Sequence, residues 1–187
     1  MTKRRKELTM AKIVDNGFAP DHGISLPSDL WSEILPSLWL GGTDDFDTID
    51  YEHPLNNSRA ITKDDFDLVV TLYAWAAPVD WFVREIRYGF YDSSDSIKTE
   101  ELDNIFSLAS QAYEAWKRGE RVLIRCQAGI NRSSLVMGIV LMLDGYSAAD
   151  AIELMRTKRS EWVLSNQSFE EFLLKIDKVG GIRAHIK

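Results

Sequence analysis

The chain has 187 residues, 45% of them hydrophobic, enough to bury one real core and a better fit to one domain than to two. Its 22 Lys and Arg against 29 Asp and Glu leave a net charge of −7, which speaks against nonspecific binding to nucleic acid or to an anionic membrane. A single cysteine, Cys126, excludes an internal disulfide and suits a reducing compartment, and the longest apolar stretch, 135–143, is far too short to span a bilayer.

Residues 1–28 begin with a basic run, Lys3 to Lys6, and carry Gly17, Pro20, Gly23 and Pro27. No apolar segment follows the run, so this stretch reads as a flexible N-terminal arm, with residues 29–187 as a single domain. Strand signals follow over 33–40 and 68–72. Between them lies a turn-rich stretch with Asp44, Asp45, Asp47, Asp50, Glu52, Asp64 and Asp65, expected as a surface excursion with some helix. Tyr73, Trp75, Trp81 and Phe82 come next, around Pro78. Aromatics at a rim can grip a substrate, but partly buried packing is the commoner role and the one expected here. A third strand is predicted over 85–90, and the loop Tyr91-Asp92-Ser93-Ser94-Asp95-Ser96 follows it.

Leu102, Ile105, Phe106, Ala109, Tyr113 and Trp116 share one face of a predicted helix that Gly119 ends. A strand over 121–125 then runs into Cys126. Residues 132–144 are apolar nearly all round and predict a buried helix. Ser147 with Asp150 marks the start of another over 148–157, and Phe169, Phe172, Leu173 and Ile176 mark the last. This order predicts an α/β fold with a central mixed β-sheet flanked by helices.

The chemistry concentrates in Cys126-Gln127-Ala128-Gly129-Ile130-Asn131-Arg132-Ser133. A thiol at a strand end, a loop of free amides and a helix N-terminus together make a site for a tetrahedral oxyanion. The amides, the helix end and Arg132 favour the thiolate over the thiol. The loop residues Gln127, Ala128, Gly129, Ile130 and Asn131 would bind the non-bridging oxygens of a phosphoryl group. Arg132 adds a planar fork that takes two of those oxygens at once, which lysine cannot do. Gly129 permits the turn that brings the N–H groups to one centre. Ser133 can donate to the sulfur when it becomes the leaving group. Attack of the thiolate on phosphorus would form a cysteinyl-phosphate that water removes. A lone cysteine is usually a small buried hydrophobe, but the strand before it and the apolar helix after it favour the nucleophile. The chemistry calls for no cofactor and no metal.

Cys126 to Ser133 matches the pattern C-x2-G-x2-R-[ST], and the chain resembles the cysteine-based protein tyrosine phosphatases, most of all their dual-specificity branch, through Cys126-Gln127-Ala128-Gly129. The resemblance extends to 34–41, 68–72 and 166–169 and covers about residues 30–178. It implies the cysteine phosphatase fold and an enzyme acting on phosphotyrosine and phosphoserine/threonine, which the lone cysteine assigns to a reducing cytoplasm. The expected partner is a phosphorylated protein or peptide, with neither nucleic acid nor membrane. It also implies a general acid on the loop after the third predicted strand. Asp92, 34 residues before Cys126, is the better match, and Asp95 is the rival, with a turn or capping role as its alternative.

The loop carries no lysine of the kind phosphoinositide-directed relatives use. One departure stands out: Arg125 occupies the place of the family's histidine. It either faces the sulfur, where its charge favours the thiolate, or points away toward solvent. Two alternatives remain: a phosphopeptide-binding pseudophosphatase, motivated by Arg125, and an RNA 5′-triphosphatase of the same fold, which Asn131-Arg132 resembles and the net charge opposes.

Overall fold

The structure is a computed structural model that describes residues 27, 29–43, 60–93 and 97–178. Nearly all of the N-terminal arm, most of the acidic excursion and Asp95 lie outside the described residues.

Five strands form one mixed sheet, β1 (Trp31–Leu35), β2 (Leu38–Gly41), β3 (Leu68–Thr71), β4 (Arg84–Arg87) and β5 (Val122–Arg125), in the order β1-β2-β5-β3-β4. The strand signal over 33–40 is an antiparallel hairpin, β1 with β2, the opening strand pair that the resemblance over 34–41 implies. It turns at Pro36-Ser37, where Ser37 takes a left-handed φ of 66° and its N–H donates to Glu33 Oε1 at 2.9 Å. The other three pairings, β2–β5, β5–β3 and β3–β4, are parallel. β5 is central and all four of its residues are buried, as a parallel strand covered on both faces requires.

Among the described residues four helices pack with the sheet: α1 (Thr99–Lys117), α2 (Arg132–Leu143), α3 (Ala148–Lys158) and α4 (Gln167–Lys178). Their spans match the expected ones to within a few residues. Strand alternation sorts the core into two parts. Leu38, Leu40, Leu68, Val70, Val122 and Ile124 face a large cluster to which all four helices contribute. Val69 and Leu123 face a smaller one with Ile61, Phe66 and Val83, to which none of these four helices contributes. α2 is buried from Ser133 through Met142. Each of its large apolar side chains adds about 1.5–3 kcal/mol of burial, which anchors the helix whose first residue is Arg132. Among the described residues no helix is long and apolar enough to cross a membrane.

β4 ends at Arg87, three residues before the predicted end. Tyr88 N–H still donates to Thr71 O at 3.0 Å, but β3 stops there, so the edge strand has no partner beyond it. The parallel strands β2, β3, β4 and β5 all point their C-terminal ends at one edge of the sheet, where crevices form between the outgoing loops.

Candidate active site

β5 carries Cys126 to that edge, and the Cys126 N–H donates to Gly41 O at 3.1 Å as the sheet's last tie. The residue is 2% exposed. Its Sγ lies 3.2 Å from Ser133 Oγ, which is itself buried in the first turn of α2. That is the contact expected of a hydroxyl serving the sulfur.

The loop between them is held from outside by its carbonyls. Gln127 O accepts from Thr43 N–H at 3.0 Å, and Ile130 O accepts from Leu164 N–H at 2.9 Å. Gly129 O accepts from Arg159 Nε at 2.6 Å, and Ala128 O from another nitrogen of the same guanidinium at 3.0 Å. Four successive carbonyls thus turn outward. The peptide planes then direct the N–H groups of 128–131 inward, and none of these donates to a protein acceptor among the described residues. A ring of unspent donors at a helix N-terminus is an anion site. Gly129 adopts φ 70°, and a Cβ there would lie 2.3 Å from Arg159 and 2.4 Å from the Gly41 carbonyl carbon. Only glycine fits.

Arg132 opens α2, and one of its terminal nitrogens makes long hydrogen bonds to Phe90 O at 3.3 Å and Leu72 O at 3.4 Å. Its guanidinium carbon stands 5.4 Å from the centre of the Tyr73 ring, within cation–π range. Its Nε is buried without a protein partner among the described residues. The fork is oriented but not saturated.

Of the predicted loop residues, Ile130 and Asn131 contribute backbone only. The Ile130 side chain is fully buried, and Asn131 Oδ1 accepts from Asn166 N–H at 3.0 Å and Ser165 Oγ–H at 3.2 Å. Asn166 continues outward, its Nδ2 donating to Asp92 Oδ1 and to Ser93 O, both at 2.8 Å. Asp92 is therefore tied to the cysteine loop through Asn166 and Asn131.

Arg125 meets the second of its two expectations only in part: it points away from the sulfur, but not into solvent. It lies on the sheet face opposite Cys126, yet it is buried at 5% exposure, in a pair with Glu85 rather than in solvent. Burial raises the Glu85 carboxyl, but hydrogen bonds from Arg87 and Thr71 and the charges of Arg87 and Arg125 outweigh it and hold the group below its usual range. The aromatic reading also divides. Tyr73 is buried, whereas Trp75, Trp81 and Phe82 are 67%, 93% and 79% exposed.

Arg159 was missed. A cation just past the end of α3 reads as an ordinary partner of the helix dipole. Burial pushes its guanidinium down to about 10, against the opposing pull of Cys126 and Asp29, so it stays cationic at neutral pH.

Residues 57–179 match the family described as the dual specificity phosphatase catalytic domain. The chain is 25% identical over 155 residues to a MAP kinase phosphatase with leucine-rich repeats from Dictyostelium discoideum, covering 82% of this chain and 17% of that one. It is 24% identical over 130 residues to dual specificity protein phosphatase 22 from Xenopus tropicalis, covering 69% and 56%. The chain therefore spans less than two thirds of these curated relatives. The crystal structure of human DUSP28 superposes with a TM-score of 0.61 at 20% identity, over 83% of this chain and 99% of that one, which shows a shared fold. The chain belongs to the dual specificity phosphatase family.

Proposed function

We propose that residues 29–187 form a catalytic domain that hydrolyses phosphomonoesters, phosphotyrosine and phosphoserine/threonine on proteins, in the cytoplasm. The observation that carries this is the cysteine loop. Its outward carbonyls leave a ring of inward amides around the end of β5, with the half-saturated Arg132 fork beside it. Three phosphoryl oxygens supply the acceptors that these donors lack.

In the first step Cys126 Sγ, as thiolate, attacks phosphorus in line with the ester oxygen. The P–O bond breaks, its electron pair goes to the leaving oxygen, and Asp92 delivers the proton that makes it an alcohol. In the second step water attacks phosphorus, Asp92 takes its proton, and the S–P bond breaks to release phosphate. The Ser133 hydroxyl, 3.2 Å from the sulfur, donates to the thiolate as it reforms. The amides and Arg132 meet the equatorial oxygens in both steps, where electrostatic positioning supplies most of the rate. Cys126, Arg132, Ser133 and Asp92 are all retained, which supports an enzyme over a mere phosphopeptide binder. The lone thiol, which must stay reduced to act, suits the cytoplasm.

Hydrolysis of p-nitrophenyl phosphate by the purified chain, compared with Cys126→Ser, tests this. The wild type turns over and the variant does not, while still binding phosphate. A Cys126→Ser protein with activity within about tenfold of wild type rules out the covalent step.

A further inference from the structure

The residue before the nucleophile belongs to a buried cluster on the back of the sheet. Glu85 on β4 is its centre. Its Oε1 accepts from Thr71 Oγ1 at 2.6 Å and pairs with Arg125 at 3.1 Å, and its Oε2 pairs with Arg87 at 2.9 Å. Arg125 Nε also donates to Thr71 Oγ1 at 3.0 Å. The Arg125 and Glu85 side chains are 6% and 14% exposed.

Each arginine has a further bond, and both land on the same short segment. Arg125 donates to Ala77 O at 2.7 Å and Arg87 to Ala76 O at 2.6 Å. These two carbonyls end the turn that leaves β3, closed by Ala76 N–H donating to Tyr73 O at 3.2 Å. The other end of that turn is in the active site. Leu72 O accepts from Arg132, and the Tyr73 ring stands 5.4 Å from its guanidinium carbon. One short segment thus touches the phosphate-binding arginine at its start and two back-face arginines at its end.

We propose that Glu85 and Arg125 are positioning residues, a buried clamp that fixes the Tyr73–Ala77 turn and through it Arg132, setting the affinity of the site for phosphate without acting on the sulfur. The inference rests on the phosphate-site reading above. The electrostatics separate it from the role of a cation beside the thiol. Strand alternation puts the Arg125 side chain on the far face from Sγ, and its charge is matched by Glu85. Arginine is suited to this because its fork bonds Thr71, Glu85 and Ala77 together, which a lysine ammonium on a flexible stem does not reproduce. A paired charge of this kind specifies geometry, at a desolvation cost that its hydrogen bonds offset.

The test reads binding and sulfur reactivity separately, on the whole chain. Alkylation of Cys126 by iodoacetate is timed with and without inorganic phosphate, which needs no turnover. Three proteins are compared: wild type, Arg125→Lys, and the double variant Glu85→Leu with Arg125→Met. The double variant removes both charges together, so that neither is left buried alone. In the double variant the phosphate concentration for half-protection rises about tenfold, and in Arg125→Lys about threefold, while alkylation without phosphate stays within about twofold of wild type.

A folded double variant with wild-type phosphate protection overturns the clamp. If it does not fold, Arg125→Lys with wild-type protection does the same. Slowed alkylation without phosphate alongside wild-type half-protection also overturns it, because Arg125 would then act on the sulfur rather than through Arg132. A wild type that phosphate fails to protect overturns the phosphate-site reading itself, a result distinct from the others.

Discussion

Arg159 is the outside support of the cysteine loop, and removing its fork has a calculable effect. The guanidinium donates to Gly129 O at 2.6 Å and Ala128 O at 3.0 Å, and also to Ser32 Oγ at 3.2 Å and Asp29 O at 3.4 Å. Hydrogen bonds from a charged donor are worth about 1.5–3 kcal/mol each. Arg159→Lys keeps the charge and retains one loop carbonyl at best, so it forfeits about 1.5–3 kcal/mol. Arg159→Met keeps the packing and forfeits both. The peptide planes whose carbonyls are released also carry the N–H groups of Gly129 and Ile130, so a plane that turns takes an inward donor with it. Loss of one such donor costs about a hundredfold to a thousandfold in rate. The expected kcat/KM for p-nitrophenyl phosphate is therefore about tenfold to a hundredfold below wild type for Arg159→Lys, and about a hundredfold or more for Arg159→Met. Urea unfolding of the same proteins separates a disturbed loop from a disturbed fold. An Arg159→Met enzyme that is folded and within about threefold of wild type would refute the reasoning, because the loop would then hold its own amides inward.

What the sequence disclosed about the site is what lies close along the chain. Cys126, Gly129, Arg132 and Ser133 fall within eight consecutive positions, so their joint geometry follows from one strand–loop–helix unit. The helices were legible for a similar reason: each has its own period and stop. The supports of the loop were not, because each comes from far away. Arg159 reaches Gly129 across 30 residues and Asn166 reaches Asp92 across 74. Neither residue looks unusual where it stands. Alternation offered the side opposite Cys126 as one of two orientations for Arg125, but only Glu85, 40 positions earlier, explains why that side is buried rather than wet. The end of β4 was misjudged because a strand's length depends on its neighbour, and β3 stops at Thr71. The exposed Trp81 and Phe82 show the converse limit: hydrophobic residues beside a strand need not join the core.

The tie from Asn166 to Asp92 predicts a shared signature. Asp92→Asn should lower kcat strongly for phenyl phosphate and much less for an ester with an activated leaving group, and Asn166→Ala should show a weaker form of the same pattern; equal losses on both esters would show that Asp92 does not protonate the leaving group. Arg132→Lys keeps the charge without the fork and should cost about 3–4 kcal/mol in kcat/KM, so an active Lys variant would mean that the amides bind phosphate unaided. The last prediction concerns stability at the other end of the sheet. Asp67 accepts from the Arg121 backbone N–H at 2.8 Å and from its Nε at 3.2 Å, and it pairs with Lys63 at 2.9 Å, joining the starts of β3 and β5. The Arg121 side chain's hydrogen bond, only partly opposed by burial, is the main reason the carboxyl sits far below its ordinary value of 3.8, with the Arg121 N–H and Lys63 adding to it. Because the folded-state value is the lower one, this contribution is fully present above the ordinary value and is lost as pH falls through and below it. Asp67→Asn should therefore lower the urea midpoint at pH 7, and the gap from wild type should narrow steadily below about pH 4. Glu85 titrates alike in both proteins and cancels from the comparison, so a gap that stays constant from neutral into acid would show that the Asp67 charge does not stabilise the fold.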